Sequence, residues 1–292
     1  MKIEEVKKTA VIGAGTMGSQ IAEILSRVGG YEVHMVDIND ELVRKSFQAM
    51  EERLEHFFVS KGKLTAEEKK SIVGRIKWGT NMEAAVKDVD FVIEAVVENL
   101  AIKKEVFKKL DESAPPPAIL ASNTSFQNIS EMASTTRRPE RVVGTHFFNP
   151  VATMKLVEVV RGARTSDETV EVACGLARRL EKEPVVCRDT SYGFLANRAY
   201  TALVNEALQM VWERVAPPEE IDRALKLGYN LPMGPLELMD FVSGWPIIIT
   251  SEQDAMRELG PEKGRLHPLV RMMARAGYTK IHDFWKDVLS KW

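Results

Sequence analysis

Cysteine is nearly absent: the 292 residues hold two, Cys174 and Cys187, and neither sits in a CxxC pair. That argues against a disulfide framework and a thiolate metal centre. No metal site is expected, and a reducing compartment is. Long apolar runs are absent as well, and no stretch approaches the roughly 18 residues of a membrane span. The leading residues, MKIEEVKKTAVIGAG, lack both the apolar core of a signal peptide and the Arg/Ser-rich character of a transit peptide. A cytoplasmic location is therefore the expectation. Excess charge of one sign is missing too. Net charge is −2 with no long one-sign block, so neither nucleic acid nor an anionic membrane is an expected partner. What remains is an ordinary globular balance, 45% hydrophobic and 28% charged. The chain is long enough for one large domain or two ordinary ones.

The first two-thirds alternate strand-like and helix-like segments. Strands are predicted at 9–13, 31–38, 76–79, 91–97, 119–122, 141–147, 155–160 and 184–187. Helices are predicted at 16–28, 40–60 and 99–113, with another opened by the capping-box signature Thr65-Ala-Glu-Glu68. The prolines at 115–117 stop the third of these, because proline cannot continue a helix. This alternation predicts an α/β fold with a mainly parallel, doubly wound sheet. From about Phe194 onward the periodicity is helical only, with helices predicted at 197–214, 219–227 and 236–242 and after Pro246 and Pro268. The expected organisation is a sheet domain over 1–190 followed by an all-helical domain over 191–292.

Gly13-Ala-Gly15-Thr16-Met17-Gly18 fits GxGxxG, and it follows a strand and opens a helix, the context that gives the pattern meaning. Gly13 permits the tight turn, Gly15 lets a pyrophosphate approach the backbone, and Gly18 lets helix and strand pack closely. The helix start supplies free N–H groups and partial positive charge. Asp37 ends the second strand, 19 residues after Gly18, and would accept hydrogen bonds from a ribose 2′- and 3′-hydroxyl. It would repel a 2′-phosphate, and Ile38 and Asn39 offer no arginine for one, so NAD is favoured over NADP. A ligand-free βα turn and an FAD site are the competing readings, though FAD proteins usually need more chain.

The chain has five histidines, and His146 lies in GTHFFNPVATMKLVEVV (144–160) between two predicted strands. If these strands pair antiparallel with 146 opposite 158, His146 and Glu158 point to one face with Cβ atoms ~5 Å apart. A carboxylate on one imidazole nitrogen fixes the tautomer and makes the other a better proton acceptor. Such a base can take a hydroxyl proton as hydride leaves the same alcohol, or return it in reverse. The rival reading is a structural histidine beside Phe147 and Phe148, with Glu158 an outward strand residue. Of the other four, His34, His56, His267 and His282, none has an acid in a comparable paired strand.

At these residues the chain resembles the L-3-hydroxyacyl-CoA dehydrogenases, including the bacterial and archaeal 3-hydroxybutyryl-CoA dehydrogenases. The resemblance covers essentially the whole chain. It rests on AVIGAGTMGSQIA (10–22), VIEAVVENLAIKKEVF (92–107), ASNTS (121–125), THFFNPVATMKLVEVV (145–160), GFLANR (193–198) and PMGPLELMDF (232–241). It implies a Rossmann-type NAD-binding domain, then a helical domain that makes a homodimer contact and closes over an acyl-CoA in fatty acid metabolism. It implies His146 as the base, Glu158 as its partner, Ser125 at the substrate's 3-oxygen and beside the nicotinamide of the cofactor, and Asn197 at the substrate oxygens. Asn149 would hold the His146 region in place, at the cofactor. Ala95, Glu98, Lys103 and Asn123 match positions that line the NAD site. Lys61 and Lys63 are placed to meet coenzyme A phosphates. Plainer readings stand beside these: a strand-end turn at Asn123 and Ser125, a helix cap at Asn197, a solvated (i, i+5) pair at Glu98 and Lys103, and a solvated loop at Lys61 and Lys63. Two features depart from the family pattern. Residues 189–194 read DTSYGF where Asp-x-Pro-Gly-Phe is usual, which puts the placing of Asn197 in question. Phe126 replaces a second serine, adding an apolar wall that narrows the pocket or favours a longer acyl chain. A dehydrogenase of a free hydroxy acid and a non-catalytic NAD-binding relative are the alternative functions.

Overall fold

The computed structural model describes residues 1–190, 192–242 and 244–291. The chain divides into two compact units, Met1–Thr190 and Ser191–Trp292.

The first unit is built on an eight-stranded sheet of order β3-β2-β1-β4-β5-β6-β7-β8. Its strands are β1 (Lys8–Ile12), β2 (Glu32–Val36), β3 (Ile76–Gly79), β4 (Phe91–Glu94), β5 (Ile119–Ser122), β6 (Val142–Phe147), β7 (Leu156–Arg161) and β8 (Glu183–Arg188). The first six run parallel; β7 turns antiparallel to β6, and β8 pairs parallel to β7. Helices α1 (Thr16–Arg27), α2 (Asp40–Leu54), α3 (Ala66–Gly74), α4 (Met82–Val86), α5 (Leu100–Ser113), α6 (Ile129–Ala133) and α7 (Asp167–Arg179) connect them. Central strands are buried on both faces, so β4 and β6 are inaccessible along their whole length. Fully buried Phe91, Phe107, Ile21 and Leu25 each contribute about 2 kcal/mol of burial. Because the chain winds from β1 outward to β3 and then crosses to β4, β1 and β4 flank the topological switch point. In such sheets ligands bind at that point, outside the carboxyl ends of the strands.

Several expectations shift on contact with the structure. The strand predicted over 91–97 stops at Glu94, because the Glu94 carboxylate takes the N–H of Val96 at 2.7 Å. The helix predicted over 40–60 is α only to Leu54 and passes into a π turn over Glu55–Val59. Helices α4 and α6, five residues each, are too short to display a 3.6-residue period. Helix α7 was not anticipated either, yet parallel pairing of β7 and β8 requires a crossover there.

The second unit is helical, with α8 (Ala196–Trp212), α9 (Pro218–Tyr229), α10 (Pro235–Phe241), α11 (Trp245–Thr250), α12 (Glu252–Leu259), α13 (Pro261–Gly264), α14 (Pro268–Arg275) and α15 (Ile281–Asp287). Leu236, Trp245, Met273 and Phe284 lie in its core. Helix α9 runs past its predicted end at 227. The helix continues to Tyr229 and stops at Asn230, whose φ of 55° is left-handed, a region asparagine tolerates. Among the described residues no helix is long and apolar enough to cross a membrane.

Candidate active site

The carboxyl ends of β1, β4, β5 and β6 share one edge of the sheet, and Gly13, Ala95, Asn123 and His146, all singled out by sequence, lie at those strand ends. At the switch point Gly13 adopts φ 104°, and a Cβ on it would strike the carbonyl of Ala95, the residue that follows β4. A Cβ on Gly18 would overlap the Gly13 carbonyl, so helix and turn pack as closely as backbone permits. Gly15 is the opposite case: a Cβ there meets nothing within 4 Å. No side chain caps the start of α1 and no acid lies in its first turn. Open space above Gly15, with the uncapped first-turn N–H groups of Thr16 and Met17, fits an anionic pyrophosphate. Asp37 lies just past β2. Its Oδ2 accepts the N–H of Ala14 at 2.7 Å and its Oδ1 that of Ile38 at 2.7 Å, so the carboxylate is held against the glycine turn.

Beside this turn lies a buried network the sequence only half revealed. Glu94, at 0% exposure, accepts from Lys103 Nζ at 2.8 Å and from Ser122 Oγ at 2.6 Å. Lys103 also meets Glu98 at 3.2 Å. Burial acts to lower the Lys103 pKa, but Glu94 and Glu98 outweigh it and the net shift is upward. Glu98 and Lys103 are therefore not a solvated pair. Glu98 instead folds the turn after β5: its Oε1 accepts the N–H groups of Ser125 and Phe126, both at 2.9 Å, and the Thr124 hydroxyl. Glu94 was missed as a site residue; its signal was a lone carboxylate in the apolar run FVIEAVV, which cannot be buried unpaired.

The turn so built delivers Ser125 to His146. β6 and β7 pair with His146 directly opposite Glu158, the predicted register. His146 Nδ1 lies 2.8 Å from Glu158 Oε2, and His146 Nε2 lies 3.0 Å from Ser125 Oγ. A carboxylate only accepts, so Nδ1 carries the proton; in the neutral ring Nε2 is the acceptor and receives the Ser125 O–H. His146 is 4% exposed and Glu158 0%, which keeps water from competing for either hydrogen bond. Asn123 ties the two strand ends together, its Oδ1 accepting the N–H of Phe147 at 2.9 Å. Phe148 packs against the imidazole with ring centroids 4.4 Å apart and planes tilted by 48°. The half-buried Phe126 stands one residue past Ser125.

Lys61 and Lys63 are not bonded to this group, and Asn197 is a residue of the second unit. Lys61 and Lys63 are exposed on the turn after the π segment and share no hydrogen bond or ion pair with His146, Glu158 or Ser125; Lys61 Nζ sits 5.3 Å above the Phe57 ring. Asn197 belongs to the helical unit, in the first turn of α8, where Leu195 rather than Asn197 is the capping residue. Of the altered 189–194 segment, Ser191 lies outside the described residues. Gly193 and Phe194 both adopt positive φ, 78° and 52°, just before α8.

Comparison with known proteins follows the same division of the chain. Residues 8–190 match the NAD-binding domain of 3-hydroxyacyl-CoA dehydrogenase and residues 193–282 match its C-terminal domain. The chain is 42% identical over 269 residues to a 3-hydroxybutyryl-CoA dehydrogenase of Clostridioides difficile, covering 92% of this chain and 94% of that one. It is 38% identical to the human mitochondrial hydroxyacyl-coenzyme A dehydrogenase, covering 91% and 86%. The crystal structure of (S)-3-hydroxybutyryl-CoA dehydrogenase from Ralstonia eutropha superposes with a TM-score of 0.87 at 39% identity, covering 94% and 95%.

Proposed function

Since the chain belongs to the 3-hydroxyacyl-CoA dehydrogenase family and is an NAD-dependent oxidoreductase of that class, we propose that it interconverts (S)-3-hydroxyacyl-CoA and 3-oxoacyl-CoA with His146 as the proton-transferring group. The supporting observation is the unbroken chain Glu158–His146–Ser125, with both ring nitrogens engaged at 2.8 and 3.0 Å.

Glu158 holds the imidazole with its Nδ1–H inward, which leaves the Nε2 lone pair directed at the substrate side. NAD bound at the glycine turn would supply the acceptor for the hydride of the alcohol carbon. In that direction Nε2 takes the proton of the 3-hydroxyl; in reverse the imidazolium returns it to the 3-oxygen. The carboxylate behind the ring stabilises the imidazolium in either direction. Ser125, once a substrate oxygen replaces it on Nε2, turns its hydroxyl to that oxygen. Asn197, from the helical unit, is assigned to the same oxygens. Asp37 receives the adenosine ribose hydroxyls, and Ala95, Asn123 and Asn149 line the cofactor. Glu98 and Lys103 line the cofactor with them, and Glu98 also folds the turn that presents Ser125. Lys61 and Lys63 are assigned to the coenzyme A phosphates.

In the same reading the sheet unit binds NAD, and the helical unit carries the homodimer contact and closes over the acyl-CoA. The enzyme works in the cytoplasm, in fatty acid β-oxidation or its reverse. The acyl-CoA substrates named for the Clostridioides and Ralstonia relatives make 3-hydroxybutyryl-CoA the first substrate to try. The test is NADH absorbance with acetoacetyl-CoA and longer 3-oxoacyl-CoAs, with NADPH as control. Oxidation of NADH but not NADPH is expected. Binding of NADH with no oxidation by any acyl-CoA would leave only the non-catalytic alternative, and activity confined to a free acid such as L-gulonate would leave the sugar-acid one.

A further inference from the structure

One side chain of the nucleotide-binding helix reaches the loop that follows β6. Gln20, two residues beyond Gly18 in α1, has both ends of its amide engaged. Its Oε1 accepts the N–H of Val151 at 2.9 Å. A backbone N–H can only donate, so this bond fixes which end of the amide is oxygen. The amino end must then be the donor, and it gives to Thr16 O at 3.1 Å and to Asn149 Oδ1 at 3.0 Å. The orientation passes on to Asn149. With its oxygen committed to Gln20, Asn149 keeps its Nδ2 amino group for another partner, and the residue is exposed. That amino group has no protein acceptor among the described residues. The loop is anchored on a second side by Lys182, whose Nζ donates to Met154 O at 2.8 Å and to Val151 O.

Asn149 is three residues past His146 and is bonded to the helix that opens at the glycine turn, so it links the loop of the proton-transferring group to the helix of the phosphate cradle. We propose that Gln20 is a positioning residue: it holds the Asn149 amide with its amino group outward, as a donor to an oxygen on the nicotinamide–ribose half of the dinucleotide. Gln20 itself touches no reacting atom. The inference rests on the NAD-dependent reading of the site.

The experiment is a double-mutant cycle on NADH affinity, read by fluorescence titration of wild type, Gln20→Met, Asn149→Ala and the double variant. Methionine keeps the length of glutamine and adds no charge near the phosphates. Each single variant is expected to weaken NADH about three- to tenfold, the range of one hydrogen bond. The double variant is expected to bind no more weakly than Asn149→Ala alone, because nothing is left for Gln20 to orient. KM for NADH should rise in Gln20→Met while KM for acetoacetyl-CoA stays at the wild-type value. Wild-type NADH affinity in Gln20→Met, or effects that multiply in the double variant, would overturn the proposal. Gln20→Ala repeats the test should the methionine disturb folding, and a melting temperature within the wild-type range certifies either variant. Wild-type protein that fails to bind NADH would overturn the dehydrogenase reading along with this one; wild-type binding with an unmoved variant overturns this one alone.

Discussion

His146 and His282 make an instructive pair. Each lies in a different unit, and each has a ring nitrogen close to a carboxylate: His146 Nδ1 to Glu158 at 2.8 Å, His282 Nδ1 to Asp240 at 2.7 Å. What differs is the second nitrogen. In His146 it faces the Ser125 hydroxyl, which can donate to a neutral ring or accept from a charged one. In His282 it faces a second carboxylate, Asp222, at 3.2 Å. Asp222, and then Asp240, hold the His282 pKa far above the ordinary value, at about 10, against the opposing pull of burial. The two aspartates are also helix caps. Asp222 accepts the N–H groups of Leu236 and Glu237 at the start of α10, and Asp240 those of Ile281 and His282 at the start of α15. One acid and a hydroxyl leave a histidine able to exchange its proton; two acids turn it into a fixed cation that fastens three helices. A His–carboxylate contact alone does not identify a base.

The same substitution at the two positions should separate these roles. His146→Gln is expected to lower turnover about 10³-fold while NADH affinity and melting temperature stay near wild type, read by steady-state kinetics and titration. Glu158→Gln, which leaves the ring but removes its anchor, should cost about 10²-fold in kcat with little change in KM for acyl-CoA. Asp37→Ala should narrow the preference for NADH over NADPH about tenfold, as compared kcat/KM values will report. His282→Gln should leave turnover at pH 7 close to wild type but destabilise the protein by about 2 kcal/mol, since two buried aspartates lose a charged donor. The sign with pH follows from the raised value. The His282 contribution is full below its unfolded pKa of about 6.5 and fades as pH climbs towards about 10, so the melting temperatures of wild type and variant should converge in alkali. Tryptophan fluorescence suits that measurement, since Trp78 alone of the five falls before residue 191. The smallest effect belongs to Lys61→Glu with Lys63→Glu: a severalfold, salt-sensitive rise in KM for acyl-CoA.

Much of the first site was legible because its signals are local. GxGxxG names its own turn, and the 146–158 register follows from two short strands and one loop. The Glu94–Lys103–Ser122 network was half hidden, since Glu94 is conspicuous only once β4 is known to be buried on both faces. The second histidine was illegible. Asp222, Asp240 and His282 are separated by long stretches of helix and loop, and no periodicity brings them together; a paired strand is where an acid was sought for His282, and its two acids come from helices instead. The crossover helix α7 shows the converse: parallel pairing of β7 and β8 demands it whatever the local pattern. Gln20 is intermediate. Its place on α1 was evident, but its reach to Asn149 and Val151 depends on how the loop after β6 folds back.

The central claim is that one proton passes through His146 in both directions of the reaction. The direct test is the pH dependence of kcat/KM measured with NAD and 3-hydroxybutyryl-CoA, and again with NADH and acetoacetyl-CoA. Oxidation requires the neutral ring and reduction the imidazolium, so the first rate should rise with pH and the second fall. Both limbs should vanish from the residual activity of His146→Gln. Limbs that persist unchanged in that variant would place the proton on another group and contradict the account.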